Sequence, residues 1–351
     1  MPTPKISTDA ASRANQKTKP NPSPKSTALQ LQARDLLLLH GLFESRVMTQ
    51  AHICALYFSG KSEAAKKRLQ KLKAHKLIGE RPRRVYAPSI LFLSKQGFVE
   101  LLSREMLKDY PRITWLNLEK RVQVSELTLR HELDVMDAKT ALTVALNQTE
   151  QFEVSEFSTW PTLYQFTASK PKPPGQYRAE MMTVKPDGLL RLQATGALMD
   201  VNNVNNSHLF FLEIDRSTES QDTLALKAHG YRDYFQSGGL AQRYGYSAAD
   251  YKRFAFRVLM VFRNAERRNN TAETLLRMSP SLLSLVWLTT QEELLRDPLG
   301  AIWLRPLDYR DAVTGTEFDL MHKVTGIYKR RPEREALIEA RATKLRLLRS
   351  E

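Results

Sequence analysis

HLFFLEIDRSTES, residues 208–220, is the stretch that decides the fold of this chain. The apolar run from Leu209 to Leu212 is typical of a strand buried in the middle of a sheet. The strand then ends in Glu213 and Asp215, which point to one face because side chains alternate along a strand. An apolar strand that ends in two carboxylates on one face predicts a polar site where the strand leaves the core.

Strands and helices alternate around this stretch. A helix is predicted over residues 125–148, and another, over residues 222–235, follows the carboxylates. Further strands are predicted at residues 152–157, 184–192, 253–262 and 283–290. This alternation predicts an α+β or α/β core with a mixed sheet.

The charge of the chain limits its partners. The 351 residues carry a formal net charge of +15, and such an excess favours a polyanion such as nucleic acid. The apolar runs are too short to cross a membrane, and the first residues lack the apolar segment of a signal peptide, so we expect a cytoplasmic protein with no membrane partner. Cys54 is the single cysteine, which excludes an internal disulfide.

A second pattern occupies residues 32–98. Two apolar helices are predicted first, the second with Thr49 as its N-cap, and a basic helix begins near Lys61. Two extended segments follow around a Pro82–Arg84 tip, and Ser94 is placed to cap another helix. Three helices, a two-stranded wing and a helix form the order of a winged helix-turn-helix.

The basic helix and the tip of the wing are the predicted DNA-binding surface. Residues 61–84 contain ten Lys and Arg against two Glu, which is about half of the net charge excess. A solvated helix face rich in lysine is the alternative interpretation. The candidate DNA-binding residues are Lys66, Lys67, Arg68, Lys71, Arg83 and Arg84.

These patterns divide the chain into five predicted parts. A disordered basic arm covers residues 1–28, the winged helix-turn-helix 29–106 and a linker 107–123. The mixed-sheet core covers residues 124–310, and a basic helical tail 311–351.

The predicted site also draws on the strand before the opening stretch. Asp187 begins that strand, and pairing of the two strands would bring it close to Glu213. Carboxylates that converge repel each other unless a cation neutralises them, and oxygen ligands suit Mg²⁺ or Mn²⁺. Lys227, on the next helix, is placed to stabilise developing negative charge. The alternatives are that Asp187 caps a turn and that Asp215 caps the helix that follows.

The segments PDGLL, FFLEIDRSTES, a downstream Lys and a Tyr resemble the core of the PD-(D/E)XK nuclease-like superfamily. Together with RLQKLKAHKLI, VYAPSILFLSKQG and LTLRHELDVMDAKTAL, residues 33–265 resemble the replication-relaxation family of plasmids and mobile elements. Related mobilisation proteins are relaxases with a restriction-endonuclease-like core.

The resemblance assigns roles to individual residues. It implies Asp187 and Glu213 as metal ligands, and it places Asp215, which we include among the candidate ligands, where the superfamily has a lysine. Lys227 is the candidate replacement for that lysine. Accessory positions that match the pattern are His131, Glu132, Glu219 and Tyr231.

Two functions follow as expectations. In the first, a DNA-binding protein of a plasmid or mobile element nicks double-stranded DNA with Mg²⁺ or Mn²⁺, using water or a tyrosine, Tyr231 or Tyr234, as nucleophile. In the second, the same protein is a non-catalytic replication accessory or transcriptional regulator with a degenerate nuclease fold. Relaxosome or replication proteins are possible partners in both. The sequence lacks a His-x-His pair and a phosphate-binding Gly-x-x-x-x-Gly-Lys-Ser/Thr loop, which argues against a two-histidine relaxase and against an ATP motor.

Overall fold

The computed structural model describes residues 29–110, 113–160, 164–171, 180–195, 207–319 and 332–348. Contacts divide the chain into Met1–Leu31 and Gln32–Glu351, and every described helix and strand belongs to the second unit. The predicted basic arm, residues 1–28, lies outside the described residues. The second unit is a mixed α+β structure.

The N-terminal part of this unit combines helices with a small antiparallel sheet. Its strands pair in the order β1-β3-β2. Thr49 and Ser94 are N-caps, as the sequence predicts, because their hydroxyls accept hydrogen bonds from the backbone N–H of His52 and Gly97. The elements are α1 (Ala33–Ser45), β1 (Met48–Thr49), α2 (Gln50–Phe58), α3 (Ser62–Ala74), β2 (Ile78–Glu80), β3 (Ile90–Leu93) and α4 (Lys95–Ser103).

A buried ion pair joins α1 to α3. Asp35 is fully buried, and Arg68 donates from Nε to its Oδ1 at 2.8 Å and from Nη2 to its Oδ2. The Arg68 guanidinium, a candidate DNA contact in the sequence, is therefore directed into the interior, because a buried carboxylate needs a charged partner. Arg68 has a structural role in this unit.

Arg68→Ala is expected to destabilise the protein by about 2–3 kcal/mol, because it leaves the Asp35 carboxylate buried without its cation. Lys67→Ala, next to it on the exposed face of α3, is expected to change stability by less than about 0.5 kcal/mol. Urea denaturation followed by circular dichroism measures both. Equal midpoints for the two variants would contradict the structural role of Arg68.

Helix α6 connects the N-terminal part to the rest of the unit. α5 (Trp115–Val122), within the predicted linker, precedes α6 (Glu126–Leu146). Two ion pairs and one hydrogen bond connect α6 to the N-terminal helices: Arg46 Nη1 to Glu132 Oε1 at 2.9 Å, Glu44 Oε2 to Lys139 Nζ at 3.9 Å, and His52 Nε2 to Asp137 Oδ1 at 2.7 Å. These contacts fix α6 against α1 and α2.

A five-stranded mixed sheet in the order β10-β9-β8-β7-β4 forms the centre of the unit. β8, β9 and β10 are parallel, whereas β7 is antiparallel to both β8 and β4. β5 and β6 form a separate hairpin. The strands are β4 (Phe152–Ser158), β5 (Phe166–Ser169), β6 (Met181–Val184), β7 (Gly188–Ala194), β8 (Ser207–Asp215), β9 (Phe256–Phe262) and β10 (Val286–Thr290).

Helices cover both faces of this sheet. Leu142 of α6 packs with Phe210 and Leu212 on one face, and Leu224 of the following helix packs with Phe211 on the other. In the part of the chain that the structure describes, no helix is long and apolar enough to cross a membrane. The remaining helices are α7 (Gln221–Gln236), α8 (Gly239–Arg243), a 3₁₀ helix (Ala248–Phe254), α9 (Ala265–Arg277), α10 (Gln291–Arg296), α11 (Pro306–Val313) and α12 (Pro332–Arg341).

The segment that the sequence assigns to a C-terminal tail, residues 311–351, contains the end of α11 and the whole of α12. α12 contacts both α9 and α11. Ile338 is fully buried, and the Arg334 side chain, 1% exposed, forms ion pairs with Glu273 and Glu335. Helix α12 therefore has a buried face that packs against α9 and α11.

Candidate functional site

The predicted pairing of the two carboxylate-bearing strands is confirmed. β7 and β8 are antiparallel with Gly188 opposite Leu212, so Asp187, just before β7, and Glu213 of β8 come next to this pair at the same end of the two strands. The Asp187 backbone N–H donates to the Leu212 carbonyl at 3.0 Å, and its Oδ2 accepts from the Ile214 N–H at 2.8 Å. Backbone hydrogen bonds thus hold Asp187 against the end of β8. We call Asp187 and Glu213 the carboxylate pair.

Glu213 is a buried carboxylate with two donors on α7. Its side chain is 6% exposed, Tyr231 donates to Oε1 at 2.6 Å, and Lys227 Nζ lies 3.4 Å from Oε2. Burial raises the pKa of the Glu213 carboxyl to about 7; the positive charge of Lys227 opposes this rise and the negative charge of Asp187 adds to it. Repulsion between the two carboxylates therefore disfavours the charged form of Glu213.

Lys227 brings positive charge to the carboxylate pair. Besides Glu213, its Nζ contacts Glu219 Oε1 at 2.9 Å, and its side chain is 27% exposed. Burial acts to lower the pKa of Lys227, but the charges of Glu213 and Glu219 outweigh it and raise the pKa. Lys227 therefore lies beside the buried Glu213, and its role as the replacement lysine stays a prediction.

His131 reaches the carboxylate pair from α6. Its Nε2 lies 2.9 Å from Asp187 Oδ1. Burial acts to lower the pKa of His131, yet the hydrogen bond to Asp187 and nearby negative charges raise it overall. His131 therefore orients the Asp187 carboxylate. Its neighbour Glu132 instead pairs with Arg46 and lies in the contact with the N-terminal helices.

Asp215 does not join the carboxylate pair. Arg267, on α9, donates from Nε to Asp215 Oδ2 at 2.8 Å and from Nη2 to Oδ1 at 3.1 Å. In the described ranges no three His, Cys, Asp or Glu side chains are grouped so that they would hold a metal ion. Of the three candidate metal ligands, Asp187 and Glu213 therefore remain, because the bidentate Arg267 neutralises Asp215.

Arg267 is the site residue that sequence reasoning missed. It lies 52 residues beyond Asp215, and no local pattern marks it as a partner. Arg216, which follows Asp215 in the chain, pairs with Asp134 of α6 at 2.8 Å. Only the packing of α9 and α6 around the end of β8 assigns these two arginines to their acids.

Two carboxylates suit Mg²⁺ or Mn²⁺. Such ions are commonly held by one or two carboxylates together with water and substrate phosphates. The four oxygens of the carboxylate pair each accept one hydrogen bond, or a lysine contact, and a carboxylate oxygen has a second lone pair. The donor set of Asp187 and Glu213 therefore fits one hard divalent cation.

The predicted DNA-binding residues fall into two groups. Lys66, Lys67 and Lys71 are exposed on α3, opposite the buried Ala65, Leu69 and Leu72. We call these three lysines the basic α3 face.

The arginines at the tip of the wing differ from each other. Arg83 donates to Glu80 and to the carbonyls of Val85 and Ala87, and so it shapes the loop between β2 and β3. Arg84 is exposed on that loop. Of the candidate DNA-binding residues, the basic α3 face and Arg84 present charge to solvent, whereas Arg68 points inward.

The comparison with known protein families agrees with the resemblance read from the sequence. No curated protein and no solved structure matches this chain. A family model described as replication-relaxation matches residues 39–248, more than half of the chain. The match contains the basic α3 face, the carboxylate pair and Lys227, and it ends before β9 and α9. The chain therefore belongs to the replication-relaxation family.

Proposed function

We propose that this protein binds double-stranded DNA of a plasmid or mobile element and acts there in replication relaxation or mobilisation. Its family membership supports a role in replication. The observation that carries DNA binding is the basic α3 face, where Lys66, Lys67 and Lys71 project from a helix whose other side is buried. Lysines grouped on one exposed face favour contact with phosphates.

The arrangement around α3 supports a winged helix-turn-helix. α2 packs directly against α3, and the loop between the antiparallel strands β2 and β3 follows in the chain. In that class of fold the third helix enters a major groove and the wing contacts the backbone. We assign α3 to the groove and Arg84 to the backbone contact.

Replacing Lys66, Lys67 and Lys71 by alanine is expected to raise the Kd for duplex DNA about 100-fold. The slope of log K against log[salt] should become shallower by about 2–3, since each lost phosphate contact removes about 0.9. Fluorescence anisotropy with a labelled duplex measures both quantities. The matched control replaces three exposed lysines elsewhere, Lys95, Lys120 and Lys252. Equal losses in the two variants would argue for non-specific charge attraction and against the basic α3 face.

The carboxylate pair favours a second activity, metal-dependent nicking of the bound DNA. Asp187 and Glu213 would hold a divalent ion, with Lys227 beside them. When bound, such an ion neutralises phosphodiester charge and lowers the pKa of water. Lys227 is placed to stabilise a further negative charge, and Tyr231 and His131 orient the two carboxylates.

Water, rather than tyrosine, suits this site as the nucleophile. Tyr231 is fully buried, and its hydroxyl donates to Glu213. Tyr234 is 7% exposed and stacks on Phe166, with ring centroids 4.0 Å apart. Neither hydroxyl is presented to a strand of DNA. The ion pair of Asp215 with Arg267, at the position where the superfamily has a lysine, supports the alternative of a non-catalytic DNA-binding protein.

A further inference from the structure

A groove of about 200 Å³ lies at the carboxyl ends of the parallel strands β8 and β9. Its walls come from α6, from the residues that follow the two strands, and from the start of α10. Ile214 and Asp215 line it, so the groove borders the strand end that carries Glu213. Its polar side chains are Arg130, Asp134, Asp215, Arg216, Arg263 and Gln291.

Both carboxylates of the groove already have cationic partners. Asp215 receives two hydrogen bonds from Arg267, which lies behind it on α9. Asp134 pairs with Arg216 at 2.8 Å and accepts a hydrogen bond from Gln291 at 3.4 Å. The acids of the groove are therefore neutralised, and the groove does not attract a cation.

Arg130 and Arg263 add positive charge to the groove beyond that of Arg216, which pairs with Asp134. Arg263 is exposed immediately after β9 and precedes Asn264, the N-cap of α9. Arg130 pairs with Glu126 one turn away on α6, but both side chains are more than 60% exposed, and such pairs contribute little. Arg216 is held by Asp134 through Nη1, and a guanidinium has five N–H donors. We call Arg130, Arg216 and Arg263 the arginine groove.

We propose that the arginine groove binds a phosphate group. Guanidinium groups match the oxygens of phosphate with paired hydrogen bonds. Phe262, the aromatic residue of the lining, is fully buried, so the lining offers a phosphate ligand but no ring on which a base could stack. We identify this phosphate as a backbone phosphate of bound DNA, and this assignment rests on the proposed function.

The position of the groove gives that phosphate a role. Ile214 lines the groove, and its backbone N–H donates to Asp187, a member of the carboxylate pair. Glu213 and Lys227 line a smaller cleft that shares Ile214 and Asp215 with the groove. A strand held in the arginine groove therefore passes beside the carboxylate pair, and the groove acts as a positioning site for DNA.

The test replaces Arg130 and Arg263, both exposed, by alanine, and the matched control replaces Arg310 and Arg341, which are exposed elsewhere. With a labelled duplex, the groove variant is expected to bind about tenfold more weakly than the parent. Its slope of log K against log[salt] should become shallower by about 2. The control variant, which loses the same charge, should match the parent. A groove variant that matches the control in this assay overturns the backbone phosphate as ligand.

Calorimetric titration with inorganic phosphate separates the two sources of the ligand. Loss of phosphate uptake by the groove variant, with an unchanged DNA slope, would assign the groove to free phosphate instead of the backbone. Unchanged phosphate uptake and an unchanged slope together would overturn the arginine groove altogether. A parent protein that fails to bind duplex DNA would overturn the proposed function, while the phosphate titration would still decide the groove.

Discussion

Glu213→Gln is expected to reduce Mg²⁺- or Mn²⁺-dependent nicking of supercoiled plasmid on the order of 10³-fold. The substitution keeps the shape of the side chain and an oxygen that accepts from Tyr231, but it removes one of the two charges of the carboxylate pair. Because glutamine carries no negative charge, Asp187 alone would remain to hold the cation. Conversion of supercoiled to relaxed circles on agarose gels measures the effect.

A matched acid on the same sheet serves as the control for this experiment. Glu153, on β4, is exposed and lies outside the carboxylate pair, so Glu153→Gln should nick at the parent rate. Nicking by Glu213→Gln at the parent rate would place the activity elsewhere or in a contaminant. A parent protein that binds the plasmid without nicking it, with either metal, would establish the non-catalytic alternative.

Arg334→Met is expected to destabilise the protein by about 3–5 kcal/mol. Arg334 is 1% exposed, and its guanidinium contacts Glu273 Oε2 at 3.2 Å and Asn270 Oδ1 at 2.7 Å. Methionine fills much of the space but leaves Glu273, which is 3% exposed, without one of its cations. The cost arises because the buried Glu273 carboxylate keeps its desolvation penalty, and the cation that remains beside it, Arg277, has a side chain that is 37% exposed.

Arg341→Met provides the control for Arg334, since Arg341 is exposed at the end of the same helix α12. This variant should change the free energy of unfolding by less than about 0.5 kcal/mol. Urea denaturation at constant pH compares the two. Similar small losses for both arginines would mean that α12 is not needed for the stability of the core.

Local patterns predicted much of the secondary structure. The apolar positions of α3 recur at helical spacing, and Ala65, Leu69 and Leu72 are buried as that spacing requires. Thr49 and Ser94 are N-caps because their hydroxyls bond to N–H groups only three residues away. The buried strand β8 was also predicted, since four consecutive apolar residues have few other uses in a soluble domain. The domain boundaries stay a prediction.

The candidate site was predictable only in part. Asp187, Glu213 and Lys227 lie together, because the start of β7, the end of β8 and the helix α7 that follows meet at one end of the strands. Asp215 and Arg68 have other partners than the sequence suggested, and each forms an ion pair with a residue more than 30 positions away.

The sequence by itself determined the periodicity of the helices and strands, the positions of the N-caps, and which acidic and basic residues stand at the ends of the strands. The tertiary structure alone decided which charges neutralise each other: Arg267 with Asp215, Arg68 with Asp35, and Arg334 with Glu273. The physical reason is range. Periodicity and caps depend on neighbours within one turn, whereas a buried ion pair depends on which two elements exclude water between them.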